Sequence, residues 1–224
     1  MIITIDGPAA TGKSSVTRVL AKKLDIHYLN SGLLFRALGY LLATKAGYTT
    51  KQFENIDKED LQTYTDEKRL VYDYDEQSKP RILWDGEDIT SHLKDSLVDD
   101  YAALVGMNAR ARSVLVDIQR KIAKNKSIIV EGRDSGSFVF PTAQYKFFLT
   151  ATPAARVKRW QKDQAKLGND YAIDLARELI LERDRRDRVR PVGPLVVPQS
   201  AIIIDTSELT IEQTADEIMK IVKK

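Results

Sequence analysis

The 224-residue sequence contains no cysteine and only two histidines. Without thiols there can be no disulfide staple, no thiolate zinc site and no cysteine nucleophile. His27 and His92 carry no partner pattern, and His27, inside an apolar run, is expected to pack at the core edge. No apolar run approaches the ~18 residues of a membrane span. The first residues, Met1-Ile2-Ile3-Thr4-Ile5, lack a basic region and meet an acid at Asp6, which does not read as a secretory signal. A strong excess of one charge is also missing: 35 Lys+Arg against 32 Asp+Glu leaves +3, which marks a nucleic-acid binder only if the basic residues cluster. There is no internal repeat, low-complexity tract or flexible linker. With 43% hydrophobic and 30% charged residues, the chain can bury a sizeable core. The expectation is a soluble, cytoplasmic protein.

Four short apolar runs suit strands buried on both faces of a parallel sheet: Ile2–Ile5, Ser127–Val130, Lys146–Leu149 and Ala201–Ile204. His27-Tyr28-Leu29 is a weaker fifth. Between them lie helical patterns, with Val16, Val19, Leu20 and Leu24 on one side of the first, and Ile211, Ala215, Ile218 and Val222 on one side of the last. Strands alternating with helices imply βαβ crossovers and an open α/β sheet. Two segments break the rhythm. Residues 48–100 are rich in charge, and within them Arg69–Tyr72 and Arg81–Trp84 read as an antiparallel hairpin inserted on the core. Residues 151–171 are polar and basic, with Gly168-Asn169-Asp170 as a helix-ending turn; this stretch is either a mobile lid or an ordinary solvated helix.

Gly7-Pro8-Ala9-Ala10-Thr11-Gly12-Lys13-Ser14 satisfies G-x-x-x-x-G-K-[ST], and it stands between the first strand run and the first helical pattern, as that phosphate-binding loop requires. The glycines let successive N–H groups turn inward, and the helix N-terminus adds positive potential. Lys13 reaches the β- and γ-phosphates, and the Ser14 hydroxyl suits Mg²⁺. The chain is therefore expected to bind a nucleoside triphosphate. A GTPase would need N-K-x-D, but Asn125-Lys126 is followed by Ser127-Ile128. A motor ATPase would usually end a later strand in paired acids; here Val130 is followed by Glu131-Gly132-Arg133. An arginine just past a buried strand sits where open α/β sheets bind ligands, and suggests an anionic second substrate.

Arg36, Arg112, Arg133 and the run Arg183-Asp184-Arg185-Arg186-Asp187-Arg188-Val189-Arg190 are the candidate anion binders. On a helix Arg183, Asp187 and Arg190 share a face with Arg186 beside them, while Arg185 and Arg188 point elsewhere. Pairs Glu182–Arg186 and Asp184–Arg188 would lace its surface, each contributing about 0.3 kcal/mol. Asp6 is placed for forming a turn or supporting the groups that touch the ligand rather than for metal ligation, Trp160 for pinning its helix, and Asp205 reads as an ordinary loop acid.

The blocks Ile5-Asp6-Gly7-Pro8-Ala9…Gly12-Lys13-Ser14, Leu29-Asn30-Ser31-Gly32…Phe35-Arg36, Glu131-Gly132-Arg133-Asp134-Ser135-Gly136…Val139-Phe140-Pro141 and Glu182-Arg183-Asp184…Arg186-Asp187-Arg188, in this order and spacing, resemble the bacterial cytidylate kinases over essentially the whole chain. The resemblance implies a P-loop kinase core with a five-stranded parallel sheet flanked by helices (residues about 1–30, 101–150 and 173–224). It also implies a monophosphate-binding insertion with an antiparallel hairpin (about 31–100) and a helical lid (about 151–172). The implied reaction moves the γ-phosphoryl group of ATP to CMP or dCMP, with Mg²⁺. Gly7, Pro8, Ala9, Ala10, Thr11, Gly12, Lys13, Ser14 and Ser15 would hold ATP, with Ser14 on the metal. Arg36, Arg133 and Arg190 would hold the acceptor phosphate, Arg183 and Asp187 the ribose, and Ser31, Arg112 and Asp134 the base. Arg156 and Arg159 would close over the transferring group. The implied partners are small nucleotides, with no nucleic acid, no membrane and a monomeric state.

This sequence departs from the family pattern in places. The serine that helps read the base falls at Ala103, Asn30 and Glu131 stand where many relatives have Asp, and the arginine after the hairpin is replaced near Lys94. Two other readings remain at this stage: a kinase of another nucleoside monophosphate such as UMP or AMP, and a nucleotide-gated nucleic-acid-binding module using the arginine run.

Overall fold

Ile3, Thr4, Ile5 and Asp6 of the first strand, β1 (Ile2–Asp6), are all fully buried, as a strand covered on both faces should be. The computed structural model describes residues 1–166 and 168–222. Along the chain follow α1 (Lys13–Leu24), β2 (His27–Asn30), α2 (Ser31–Thr44), α3 (Lys58–Tyr64), β3 (Leu70–Tyr74), β4 (Pro80–Trp84), β5 (Glu87–Asp88), α4 (Ser96–Met107), α5 (Ala109–Ala123), β6 (Ile128–Glu131), β7 (Tyr145–Thr150), α6 (Pro153–Ala165), α7 (Ile173–Val189), β8 (Ile202–Asp205) and α8 (Ile211–Val222). The chain divides into two compact units, Met1–His27 with Lys126–Lys224, and Tyr28–Asn125.

Among the described residues five strands form a parallel sheet in the order β2-β6-β1-β7-β8, one for each of the five apolar runs. The Ala201–Ile204 run, expected to be buried on both faces, instead forms the edge strand β8 with Ile202 and Ile203 exposed, because neighbours cover an edge on one side only. Ile5 stands opposite Glu131 of β6 and Asp6 opposite Phe148 of β7. Parallel neighbours cannot be joined by tight turns, so helices cross between consecutive strands, including the neighbouring β7 and β8. Because β1 is central, the loops leaving β1 and β6 emerge side by side at one edge of the sheet.

Two sequence expectations shift by a residue or so. Helix α1 buries Val16, Thr17, Leu20 and Ala21, leaving Val19 and Leu24 half-buried, because it packs between α8 and β6 rather than on one surface. In α8 Thr214, Ala215, Ile218, Met219 and Val222 are buried, and Ile211 at its start is exposed. His27, expected at the core edge, is exposed; it begins an edge strand, where neighbours crowd one side only. Helix α6 starts at Pro153 under a Thr152 cap, and its Val157 packs with Ala9, Ala176 and Ile180. Trp160 rests on Tyr171 with ring centroids 4.9 Å apart, as expected for a pinning residue. Leu167, within the stretch read as a lid, and Lys223 and Lys224 lie outside the described residues.

The second unit has its own core. Leu34, Leu38, Leu41 and Leu42 of α2 are fully buried, α2 packs on α4, and Phe53 stacks on Tyr101 at 5.6 Å. The expected hairpin is present, with β3 and β4 antiparallel and Leu70 opposite Trp84. The short β5, not foreseen from the sequence, pairs with the end of β4. The Arg69 guanidinium lies 4.3 Å from the Trp84 ring centre, shielding a large buried aromatic.

Candidate active site

The phosphate-binding loop joins β1 to α1, and its backbone explains its glycines. Gly7 has φ +147°, and a Cβ there would lie 2.1 Å from the Leu149 carbonyl oxygen. Ala10 and Gly12 also take positive φ, 58° and 89°, which turns the loop's N–H groups inward toward the α1 N-terminus. Lys13 is buried. Its Nζ donates to the Pro8 carbonyl at 2.5 Å and to Thr11 Oγ1 at 3.3 Å. Burial, and then the Arg133 charge, push its ammonium well below the usual lysine value. A bound polyphosphate would supply the negative charge that burial withholds. The Ser14 hydroxyl donates to Glu131 Oε1 at 2.7 Å, setting two hard oxygens together where the loop meets β6.

The loop is braced from behind. Asp184 Oδ1 accepts from Ala9 N at 3.1 Å, Arg156 Nε donates to the Ala9 carbonyl at 2.7 Å, and Arg156 and Asp184 pair at 2.5 Å. The expected Asp184–Arg188 surface pair is therefore not what forms: Asp184 lies in the buried row Ala176, Ile180, Asp184 of α7, so its charge is met from inside by Arg156. The Glu182–Arg186 pair does form, at 2.9 Å. Arg159 donates to Thr206 Oγ1 at 2.9 Å and to the Thr206 carbonyl, while Thr206 Oγ1 donates to the Thr11 carbonyl at 3.1 Å. Both arginines of the lid-like stretch thus engage main chain around the loop. Asp205 caps the same turn through Ser207 N at 2.8 Å, as a loop acid would.

The acceptor candidates of this unit form an alternating charge array. Arg133 Nε pairs with Asp187 Oδ2 at 2.8 Å, Arg190 with Asp187 Oδ1 at 3.3 Å, and Arg190 with Asp134 Oδ1 at 3.0 Å. Arg190 is buried at the C-cap of α7, where it also donates to the Gly193 carbonyl. Burial would raise Asp187, but Arg133, Arg190 and Arg183 together hold it below the usual carboxylate value. Burial likewise pulls Arg133 down, and Asp187, Asp184 and Glu131 outweigh it, keeping the guanidinium charged. Arg183 is half-buried on the same helix. Lys13, Arg133, Asp134, Arg183, Asp187 and Arg190 are therefore gathered at the strand ends of one unit.

Ser31, Arg36 and Arg112 belong to the second unit. Ser31 opens α2 and is buried. Arg36 pairs with Asp99 of α4 at 2.6 Å, and Arg112 is buried with its guanidinium 5.1 Å from the Phe35 ring centre. Ala103 is half-buried on α4.

The family model described as cytidylate kinase matches residues 3–224. The chain belongs to the cytidylate kinase family. A cytidylate kinase of Caldanaerobacter subterraneus subsp. tengcongensis is 34% identical over 222 residues, covering 99% of this chain and 94% of that protein. One of Caldicellulosiruptor saccharolyticus is 36% identical over 227 residues, covering 99% and 95%. Among solved structures, a shikimate kinase from Bacteroides thetaiotaomicron aligns over 100% of this chain and 99% of its own with TM-score 0.51 and 14% identity, a likeness of fold alone.

Three residues that bond to candidate side chains or the phosphate-binding loop have no assigned site role in the sequence reading: Asp184 and Thr206 in one unit and Asp99 in the other. A signal existed for Asp184, since it continues the Ala176–Ile180 stripe at helical spacing. Asp99 and Thr206 had none, because their partners are far away in sequence.

Proposed function

We propose that the chain transfers the γ-phosphoryl group of ATP to CMP or dCMP, giving CDP or dCDP and ADP. The observation that carries this is family membership over residues 3–224, in a chain whose Lys13 loop and Arg133 follow the adjacent strands β1 and β6, with Asp187 of α7 paired to both Arg133 and Arg190. Phosphoryl transfer asks the protein for alignment and charge stabilisation, with little covalent chemistry. Gly7–Ser15 cradle the donor phosphates, and Lys13 exchanges the Pro8 carbonyl for phosphate oxygens, gaining a stronger charge-assisted bond. Arg133 and Arg190 present guanidinium forks to the acceptor phosphate, with Arg36 as the third, and Asp134 and Asp187 hold those forks in place before substrate arrives. Arg183 and Asp187 bind the ribose, Ser31, Arg112 and Asp134 the base, and Arg159 closes the 151–172 segment over the donor.

A Mg²⁺ ion fits the oxygens present. The Ser14 hydroxyl and Glu131 carboxylate, 2.7 Å apart, are the hard donors it prefers, and among the described residues no cluster of three or more His, Cys, Asp or Glu is arranged to hold a metal by itself. That suits an ion shared with nucleotide phosphates and water. When bound it would neutralise charge building on those phosphates. Among the described residues no helix is long and apolar enough to cross a membrane; we place the chain in the cytoplasm, as a monomer acting on small nucleotides and not on nucleic acid.

ADP release measured over CMP, dCMP, UMP, AMP and GMP tests the proposal. Turnover with CMP or dCMP far above the others supports it. Preference for UMP or AMP would replace the acceptor but keep the reaction, and no turnover with any would refute it. Strongly salt-dependent RNA binding without turnover would point to the basic run as a backbone-binding patch.

A further inference from the structure

Asp6 closes β1 one residue before the phosphate-binding loop, fully buried. Its Oδ1 accepts from Ser135 N at 2.8 Å and its Oδ2 from Gly136 N at 2.7 Å. These two amides open a π-helical turn in which Val139 N donates to the Asp134 carbonyl at 3.1 Å and Phe140 N to the Ser135 carbonyl at 2.7 Å. On the other side of Arg133, Gly132 N donates to the Ile5 carbonyl at 3.1 Å. The segment bearing Arg133 and Asp134 is thus pinned to β1 at both ends. The fit is close: a Cβ at Gly136 would lie 2.5 Å from Thr4 Oγ1 and 3.3 Å from Asp6 Oδ2.

We propose that Asp6 is a positioning residue for the acceptor nucleotide: by binding both amides it fixes the turn that aims Arg133 and Asp134. It touches neither nucleotide. Two N–H donors shared between two carboxylate oxygens require the ionised form, since a protonated carboxyl turns one oxygen into a donor. Burial opposes that form and, with Asp134 adding repulsion, raises the Asp6 pKa to about 6, while the Ser135 and Gly136 amides pull it down. Of the charged groups nearby, Asp134 on the turn acts on it directly; Glu131 of β6 is in register with Ile5 and Lys146 of β7 with Thr4. Near pH 6 the group takes up a proton and one arm of the pin is released.

The proposal rests on the acceptor reading above, and the test separates the two. In the ligand-free wild-type chain, Ser135 and Gly136 amide shifts followed by NMR should titrate together with a midpoint near 6. In Asp6→Asn that titration should vanish. Asp6→Asn should raise KM for CMP roughly tenfold or more, the loss of a bond to a charged acceptor, with KM for ATP within about twofold. The acceptor's own phosphate titrates near 6, so the activity profile is read as the difference between wild type and variant. Should Asp6→Asn fail to fold, Gly136→Ala, which pushes the turn off β1 from the other side, must show the same selective rise in KM for CMP. Amide shifts without that titration, or an equal rise in both KM values, would overturn the proposal. A wild type inactive on CMP and dCMP would instead overturn the acceptor reading.

Discussion

Arg156 and Asp184 form a buried ion pair at 2.5 Å, their side chains 7% and 0% exposed, and between them they hold both the N–H and the carbonyl of Ala9. Two helices, α6 and α7, are thereby tied to the same link of the phosphate-binding loop. Asp184 also stands next to Arg183 and three residues before Asp187, so the loop and the acceptor face share one rigid element.

Removing one partner of such a pair leaves an uncompensated buried charge. Asp184→Ala should therefore destabilise the protein by about 3–5 kcal/mol, read as a shift of the urea midpoint. Asp184→Asn, which keeps an acceptor for Ala9 N, should cost less. If both variants melt like the wild type, the brace contributes nothing to stability.

Lys13→Ala should lower kcat by about two to three orders of magnitude, the usual loss when one charge-stabilising donor is deleted. CMP binding should change little, since Lys13 addresses the donor. Near-normal turnover in the variant would remove Lys13 from the reaction.

Arg133→Ala should raise KM for CMP by an amount corresponding to about 1.5–3 kcal/mol. Asp187→Asn loosens the same array from its acidic side, because Asp187 holds Arg133 at 2.8 Å and Arg190 at 3.3 Å. In a double-mutant cycle the two changes should be clearly non-additive. Strict additivity in KM for CMP would mean the pair acts as two unrelated contacts.

Asp6 and Asp187 tilt stability in opposite directions with pH. Asp6 rises from 3.8 to about 6 on folding, so the native state binds its proton more tightly and this contribution is full below about pH 4 and is lost as pH rises through 6. The shift corresponds to about 3 kcal/mol at neutral pH. Asp187 is lowered on folding; its contribution is present above the unfolded carboxyl value of 3.8 and disappears as pH falls below it. Thermal midpoints from pH 4 to 7 in wild type and Asp6→Asn should differ in slope, the variant losing less stability as pH rises. Parallel curves would contradict the assignment.

Elements whose cause is local were readable in the chain. The five strands follow from apolar runs, although the edge strand β8 leaves Ile202 and Ile203 exposed instead of buried on both faces, and the loop follows from glycines at Gly7 and Gly12 whose positive φ other residues rarely adopt. The α8 stripe was right apart from its first member. Where a partner came from distant sequence, spacing misled. Asp184 was paired with Arg188 four residues on, whereas the structure buries it against Arg156, 28 residues away. Two-residue β5 was too short to show a pattern at all.

The order of residues by itself determined that a phosphate-binding turn follows a buried strand and that guanidinium groups are grouped after β6 and along α7, because those features depend on neighbours one to seven positions apart. Tertiary structure decided which carboxylate answers which cation. Asp6 reaches Ser135 and Gly136 and Asp187 reaches Arg133 only because parallel strand order sets β1 beside β6 and α7 across their ends. A buried charge takes whichever opposite charge or N–H the fold brings within about 3 Å, since leaving it unmet costs more than any local preference can return.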